Sequence, residues 1–156
     1  MFRGEAVSSH IAAAAGAPIQ QLQSVEAIAG RGLQGDRYFD GTGYWSRHPG
    51  VSREITLIEN ESIEALQREK NITLSPGDTR RNIITRGVPL NHLVGCEFQV
   101  GAVRLRGTRL CEPCDYLERL TIKGVLTGLL HRGGLRADIL SSGTIHVGDP
   151  ITCHIL

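Results

Sequence analysis

The sequence predicts a mostly β protein with inserted helices (β + α), folded over residues 1–156 as one domain that is either a β-barrel or a curled sheet. Three observations support this fold class. Seven or so short segments are apolar in alternation or rich in β-branched residues, turn residues separate them at short intervals, and two or three segments have helical periodicity. A chain of 156 residues can bury one core without help from disulfides or a metal.

The N-terminal part begins with two predicted strands, at residues 2–9 and 22–29. An alanine-rich connection joins them, for which a helix is the alternative. Five glycines between residues 30 and 43 break any regular element, so we predict a long loop there. This loop and the segment 44–49 contain most of the aromatic residues, which suits a lid or a pocket wall.

The central part contains one strongly patterned helix. A β-rich segment at 53–58 precedes residues 59–70, which have acidic residues early, basic residues late and apolar residues on one face. A turn at 74–78 leads to a predicted strand at 79–87, and alternation over 98–107 predicts a hairpin. The remaining predicted elements are helices at 115–120 and 124–131 and strands at 135–140, 144–147 and 151–155.

Charge and cysteine content exclude several classes of protein. The net charge of +1 gives no reason to expect nucleic acid or an anionic membrane as a partner. The apolar run at 11–15 is shorter than a signal-peptide core or a membrane span, so no membrane association is expected. Four irregularly spaced cysteines do not form a disulfide scaffold in a chain of this length. We therefore expect a cytoplasmic protein.

Arginine dominates the basic residues. Only Lys70 and Lys123 are lysines among the seventeen. Arginine binds carboxylate and phosphate through two parallel hydrogen bonds, so local anion sites are expected without overall basicity. A high genomic GC content would produce the same bias.

The segment 111–114 is the most chemically specific part of the chain. Cys111 and Cys114 have C-x-x-C spacing, and a short predicted helix follows Cys114. A thiol between a strand and a helix faces unpaired backbone N–H groups and the positive end of the helix dipole, which favours the thiolate. Pro113 has a fixed φ angle and disfavours a helical backbone at the residue before it, so the turn should be stiff. The spacing thus predicts that Cys114 is reactive.

The cysteine pair admits four interpretations. It is half of a zinc site, completed in space by Cys96, His131 or His146. It is a redox dithiol, although the βαβ context of such pairs is missing. In the third interpretation, both cysteines only pack in the structure and have no chemical role. In the fourth, Cys114 is a nucleophile, a persulfide carrier or a soft-metal ligand, with Cys111 as a resolving thiol. The roles of Cys96 and Cys153 are not fixed by the sequence.

Arginine-rich segments supply the candidate binding residues. If residues 79–87 form a strand, Arg80 and Asn82 share one face and Arg81 the other, and the alternative is a charged edge strand. The segment 35–37 is either a turn with a local Asp–Arg pair or a binding element. The segment 131–134 is either an anion-binding corner or a helix C-terminus with a glycine stop.

Taken together, five segments resemble a MOSC domain in order and spacing. This domain occurs at the C-terminus of molybdenum cofactor sulfurases and in small stand-alone bacterial proteins. The resemblance extends over about residues 20–152. The segments that carry it are 35–38, 76–83, 111–114, 131–137 and 145–149.

The resemblance implies a MOSC-like β-barrel and an essential cysteine, which matches Cys114. In relatives that reduce N-hydroxylated compounds, that cysteine ligates the molybdenum of the cofactor, and in sulfurases it is proposed to carry sulfur. Cys114 is accordingly the candidate metal ligand, and Cys114 and Cys111 are the catalytic candidates. The candidates for binding the molybdenum cofactor (molybdopterin) are Arg37, Arg80, Arg81, Asn82, His131 and Arg132.

Three functions follow as hypotheses. The first is a molybdenum-cofactor-dependent oxidoreductase, which needs an electron-donor partner. The second is a carrier that receives the cofactor, or sulfur from a persulfide donor, and passes it to a protein acceptor. The third is a small zinc-stabilised binding module. Pyridoxal phosphate, which the sulfurases hold on a separate domain, is not expected, because neither Lys70 nor Lys123 lies in a glycine-rich phosphate-binding segment.

Overall fold

The structure, a computed structural model, describes residues 2–48 and 52–154. These residues form eleven strands and four α-helices. The strands are β1 (Arg3–Ile11), β2 (Gln20–Leu22), β3 (Ser24–Ile28), β4 (Gly32–Leu33), β5 (Ile55–Glu59), β6 (Ile83–Arg86), β7 (Glu97–Val100), β8 (Val103–Leu110), β9 (Leu135–Ile139), β10 (Gly143–His146) and β11 (Pro150–Thr152). The helices are α1 (Arg37–Asp40), α2 (Asn60–Lys70), α3 (Asp115–Leu120) and α4 (Val125–Gly128).

Seven strands close into the predicted β-barrel. Their order is β11, β7, β8, β9, β5, β6 and β1, and β1 pairs with β11 to complete the circuit. Only β5 and β6 are parallel within this barrel; the other pairs are antiparallel. Strand β2 extends the sheet beyond β1, and β10, β3 and β4 form a separate three-stranded sheet. Closure leaves few exposed strand edges.

Alternation along the strands separates the barrel interior from its surface. In β8, Val103 and Leu105 are buried, whereas Arg104 and Arg106 are exposed. The interior is filled by branched aliphatic side chains from every barrel strand, which pack as expected for a small barrel.

Helix α2 covers the outside of the barrel, close to the range predicted for it. Ile63 and Leu66 pack against Ile58 and Ile84 in a second apolar cluster. The helix ends at Asn71, which adopts the left-handed conformation at φ 54°.

The predicted strand at 79–87 begins later than expected. Residues Pro76–Thr79 form a 3-10 helix, Arg80 is left-handed at φ 58°, and β6 begins only at Ile83. Arg80 and Asn82 therefore do not alternate on one strand, and the inference that they share a face was wrong.

Other predicted elements differ in detail. The alanine-rich connection at 12–19 contains no helix, and the predicted strand at 22–29 is divided into β2 and β3. The glycine-rich region contains β4 and α1. A second 3-10 helix, Leu90–Leu93, was not predicted. Residues 49 and 155, which belong to predicted segments, lie outside the described residues.

Candidate functional site

A cavity of about 460 Å³ lies against the outer surface of the barrel. Its walls come from α1 and the loop after it, the start of β5, the residues before β6, and the segment that joins β8 to α3. The lining residues are Arg37, Tyr38, Trp45, His48, Arg53, Thr56, Arg80, Arg81, Arg109, Leu110, Cys111, Glu112, Pro113, Cys114, Tyr116, Leu117 and Arg136.

Three neighbouring strands supply a row of polar residues to the cavity. Thr56 of β5 lies directly opposite Arg136 of β9, and Arg136 lies directly opposite Arg109 of β8. Arg136 alternates with Leu135 and Ala137, which belong to the barrel core, so the row is on the outer face of the barrel. Residues that face each other across antiparallel strands have neighbouring side chains. The two arginines therefore lie side by side.

The cysteine loop, residues 111–114, runs along one side of the cavity. Cys111 is 2% exposed, and its backbone N–H donates to the carbonyl of Gly134 at 2.7 Å. Cys114 is half-buried and extended, at φ −137°, and it precedes α3 as the N-cap residue. Its backbone carbonyl accepts from the N–H of Glu118. Only the second cysteine of the pair is accessible to a ligand.

Arg81 fixes the cysteine loop to the rest of the barrel. Its Nε donates to the carbonyl of Gly133 at 2.8 Å, and its Nη2 donates to the carbonyls of Cys111 and Glu112 at 2.9 and 3.4 Å. Its Nη1 donates to the carbonyl of Thr79 at 3.3 Å. Every nitrogen of this buried guanidinium thus binds backbone. Arg81 lines the cavity but acts mainly in positioning the loop.

Arg37 is oriented by Asp36. The Asp36 carboxylate accepts from Arg37 Nη1 at 3.0 Å and from the backbone N–H groups of Ala12 and Tyr38. Arg37 Nη2 donates to the backbone carbonyl of Arg80 at 3.1 Å. The predicted local Asp–Arg pair is confirmed, and it also brings Arg37 into the cavity wall.

Arg80 combines an unusual backbone with an unsatisfied side chain. Its Nη1 donates to the carbonyl of Ala17 at 3.1 Å, whereas its Nη2 is buried without a hydrogen-bond partner among the described residues. Burial, and then the charge of Arg37, lowers the pKa of the guanidinium. The left-handed backbone of Arg80 ends the 3-10 helix, and its N–H donates to the carbonyl of Gly77.

Aromatic residues close one side of the cavity. Tyr44 stacks on Tyr116 of α3 with ring centroids 3.8 Å apart and ring planes 9° apart. Trp45 packs edge-on against Tyr44 at 4.8 Å and lies 5.0 Å from His48. Trp45 and His48 line the cavity and belong to the predicted lid or pocket-wall segment at 44–49, so its described part does form a wall.

Positive charge dominates the cavity. Six arginines line it, and the lining contains one carboxylate, Glu112. That carboxylate binds the backbone N–H and the Nδ1 of His131, at 2.7 and 2.8 Å. Within residues 2–48 and 52–154, no ion pair joins Arg80, Arg81, Arg109 or Arg136 to a carboxylate. Such a surface is suited to an anionic ligand.

A family model of the MOSC domain matches residues 45–152. The chain belongs to the MOSC domain family. A comparison with curated protein sequences found no match.

Solved structures share the MOSC fold of this chain. The YuaD protein of Bacillus subtilis superposes with a TM-score of 0.76 at 18% identity, and the alignment covers 97% of each chain. YiiM from Geobacillus stearothermophilus has a TM-score of 0.70 at 13% identity, with 96% of this chain and 74% of that chain covered. YiiM from Escherichia coli has a TM-score of 0.66 at 16% identity, with 98% and 69% covered. At these identities the likeness concerns the fold alone.

Three of the residues predicted to bind the molybdenum cofactor do not line the cavity. Asn82 is 3% exposed; its amide accepts from the backbone N–H and hydroxyl of Thr56 and donates to the carbonyl of His10. Its side chain thus ties β6 to β5 and β1. His131 is exposed and binds Glu112, while Arg132 binds Glu69 and the carbonyl of Gly128 at the end of α4. Helix α4 ends at Gly128, so the segment 131–134 lies just beyond the helix C-terminus that was predicted for it as one alternative.

Sequence reasoning missed Arg53, Thr56, Arg109 and Arg136 as site residues. Arg109 and Arg136 become neighbours only through the pairing of β8 with β9, which has a bulge between Gly107 and Arg109. Burial and the nearby charge of Arg136 lower the pKa of Arg53. No local pattern in the sequence predicts that these four residues line one cavity.

A zinc site needs four ligands. Across the described part of the chain, no group of three or more His, Cys, Asp or Glu side chains is placed to hold a metal ion. The same residues include no helix that is both long and apolar enough to cross a membrane.

Proposed function

We propose that this MOSC domain binds the molybdenum cofactor in its arginine-lined cavity, with the Cys114 thiolate as the protein ligand of molybdenum. The proposal rests on one observation. Cys114, the more exposed cysteine of the C-x-x-C pair, lines a cavity that has six arginines and one carboxylate. Thiolates are the ligands that soft metal centres select. The cofactor's phosphate is the anion that the arginines would bind.

The residues present are suited to such a group. The buried Nη2 of Arg80 lacks a protein partner, and a buried donor without a partner is costly unless a ligand satisfies it. Arg37, held by Asp36, lies beside it. The volume of about 460 Å³ is in the usual range for cofactor and small-molecule sites. Arg37 and Arg80 would therefore hold the phosphate.

The bound cofactor would supply oxygen-atom transfer at its metal, as in the reduction of N-hydroxylated compounds. The residues of this chain would bind the cofactor, orient it and shield it from water. Arg81 keeps the cysteine loop in place, and the aromatic rings of Trp45 and Tyr116, which line the cavity, would shield the cofactor from water on one side. A reductase of this kind needs a protein electron donor, and a free thiol at the site is suited to the reducing cytoplasm.

The proposal is tested by producing the full-length chain in a host that makes the cofactor. Molybdenum and pterin per protein are measured for the wild type, Cys114→Ser and Cys96→Ser, the last being a free cysteine outside the cavity lining. We expect the molybdenum and pterin contents of Cys114→Ser to be at least tenfold lower than those of the wild type. The contents of Cys96→Ser should equal those of the wild type. Equal content in all three, or zinc in place of molybdenum, would contradict the proposal.

A second candidate function is sulfur transfer, favoured by the accessible free thiol of Cys114 three residues from Cys111. The Cys114 thiolate would attack the outer sulfur of a donor persulfide, forming a Cys114 persulfide and releasing the donor thiol. Mass spectrometry after incubation with a persulfide donor would then show a gain of about 32 Da on Cys114. No gain at this residue would exclude the carrier.

A further inference from the structure

Four of the six arginines of the cavity form two groups. Arg37 donates a hydrogen bond to the backbone carbonyl of Arg80, so these two residues form the first group. Arg109 and Arg136 form the second group, because they face each other across strands β8 and β9. The cavity therefore has two pairs of neighbouring arginines.

The second group contains an arrangement that the fold alone does not explain. Arg109 and Arg136 are direct cross-strand partners, and like charges placed directly opposite each other destabilise a sheet. Neither forms an ion pair within the described ranges, and the Nη1 of Arg136 is buried without a hydrogen-bond partner there. Among the described residues that line the cavity, Glu112 is the one carboxylate, and it is bound to His131.

A bound oxyanion would accept a hydrogen bond from the buried Nη1 of Arg136 and would offset the repulsion between Arg136 and the exposed Arg109. Neighbouring guanidinium groups can each donate to the oxygens of a carboxylate or phosphate, and Arg136 is half-buried, so part of this site is shielded from water. Both arginines line the same cavity as the cysteine loop.

We propose that Arg109 and Arg136 form a second oxyanion subsite, which binds a carboxylate or phosphate group on the substrate that approaches Cys114. This inference rests on the proposed function, in which Arg37 and Arg80 hold the cofactor's phosphate. It assigns the substrate to a class: small molecules that carry a negative charge.

The test uses inorganic phosphate as the probe and the full-length chain made without cofactor. The Nε–H signals of Arg109 and Arg136 are followed by NMR during a phosphate titration, with sodium chloride at matched ionic strength as the reference. We expect saturable shifts with phosphate only. The double variant Arg109→Gln/Arg136→Gln should bind at least tenfold more weakly, while Arg104→Gln, which removes an exposed charge of β8 outside this cavity, should bind like the wild type.

Two further readouts separate the possible outcomes. The double variant should melt at or above the wild-type temperature, because it relieves the repulsion between two opposed charges, and it should retain molybdenum when made in a cofactor-producing host. Loss of molybdenum would overturn the assignment, because the pair would then hold the cofactor's own phosphate. Unchanged phosphate binding in the double variant would also overturn it. A wild type that binds phosphate here but never molybdenum would contradict the proposed function and leave this subsite standing.

Discussion

The guanidinium of Arg81 lies 2.9 Å from the backbone carbonyl oxygen of Cys111 and ties the cysteine loop to the start of β6. The same side chain binds the carbonyls of Gly133 and Glu112. One buried cation therefore connects the backbone of the cysteine loop to the segments just before β6 and β9.

Replacing Arg81 with Lys should destabilise the protein, because a lysine ammonium cannot reproduce a planar fork of donors to several carbonyls. We expect a loss of about 3 kcal/mol in the free energy of unfolding, or about 6–12 °C in Tm. Thermal and urea unfolding measure it. The matched control, Arg104→Lys on the exposed face of β8, should change stability by less than about 0.5 kcal/mol. A similar small change for Arg81→Lys would show that these bonds do not hold the loop.

The Tyr44–Tyr116 stack should couple the loop after α1 to helix α3. In a double-mutant cycle with Tyr44→Ala and Tyr116→Ala, we expect a coupling of about 0.5–1.5 kcal/mol in unfolding free energy. Tyr44→Ala combined with Val94→Ala, an exposed residue outside the cavity, should be additive. Additivity of the two tyrosine substitutions would mean that the stack contributes nothing to holding the wall.

Arg80→Asn should weaken binding of the cofactor while leaving the stability of the protein almost unchanged. Asparagine tolerates the left-handed conformation at φ 58°, which offsets the lost bond to the carbonyl of Ala17, so the unfolding free energy should remain within about 1 kcal/mol of wild type. Molybdenum content in a cofactor-producing host should nevertheless fall at least tenfold. A variant that keeps its molybdenum would remove Arg80 from the proposed phosphate site.

His10 should make stability depend on pH. Burial lowers its pKa below 6.5 in the folded protein, whereas the unfolded chain takes up the proton near 6.5. Between these values the unfolded state binds more protons, so the free energy of unfolding falls as the pH falls below 6.5 and is unaffected by His10 above it. The slope from one proton is at most about 1.4 kcal/mol per pH unit. Urea unfolding from pH 7.5 to 5 of the wild type and His10→Gln should diverge below 6.5; parallel curves would contradict the assignment.

Local chemistry was sufficient to predict much of the fold. Helix α2 was predicted over 59–70 and is observed at Asn60–Lys70, because its charges and apolar face are both encoded locally. The β8–α3 junction was predicted from the cysteine spacing and the helical residues after it.

The errors have physical causes. Ser75 and Asp78 form a capping box around the 3-10 helix at Pro76–Thr79, a pattern that is visible in the sequence and would have placed the start of β6 later. Asn82 was predicted to bind the cofactor, but its side-chain amide forms hydrogen bonds with Thr56 and His10 instead. The pairing of Arg109 with Arg136 depends on long-range strand register and a bulge, which no local pattern contains.

The most direct test of the central claim replaces Cys114 by selenocysteine in the cofactor-loaded, full-length protein and measures molybdenum K-edge X-ray absorption fine structure. A matched sample carries selenocysteine at Cys96, which is outside the cavity lining. The account predicts a selenium neighbour bonded to molybdenum only when position 114 is labelled. Molybdenum that is bound by the labelled protein but has no selenium neighbour would contradict it.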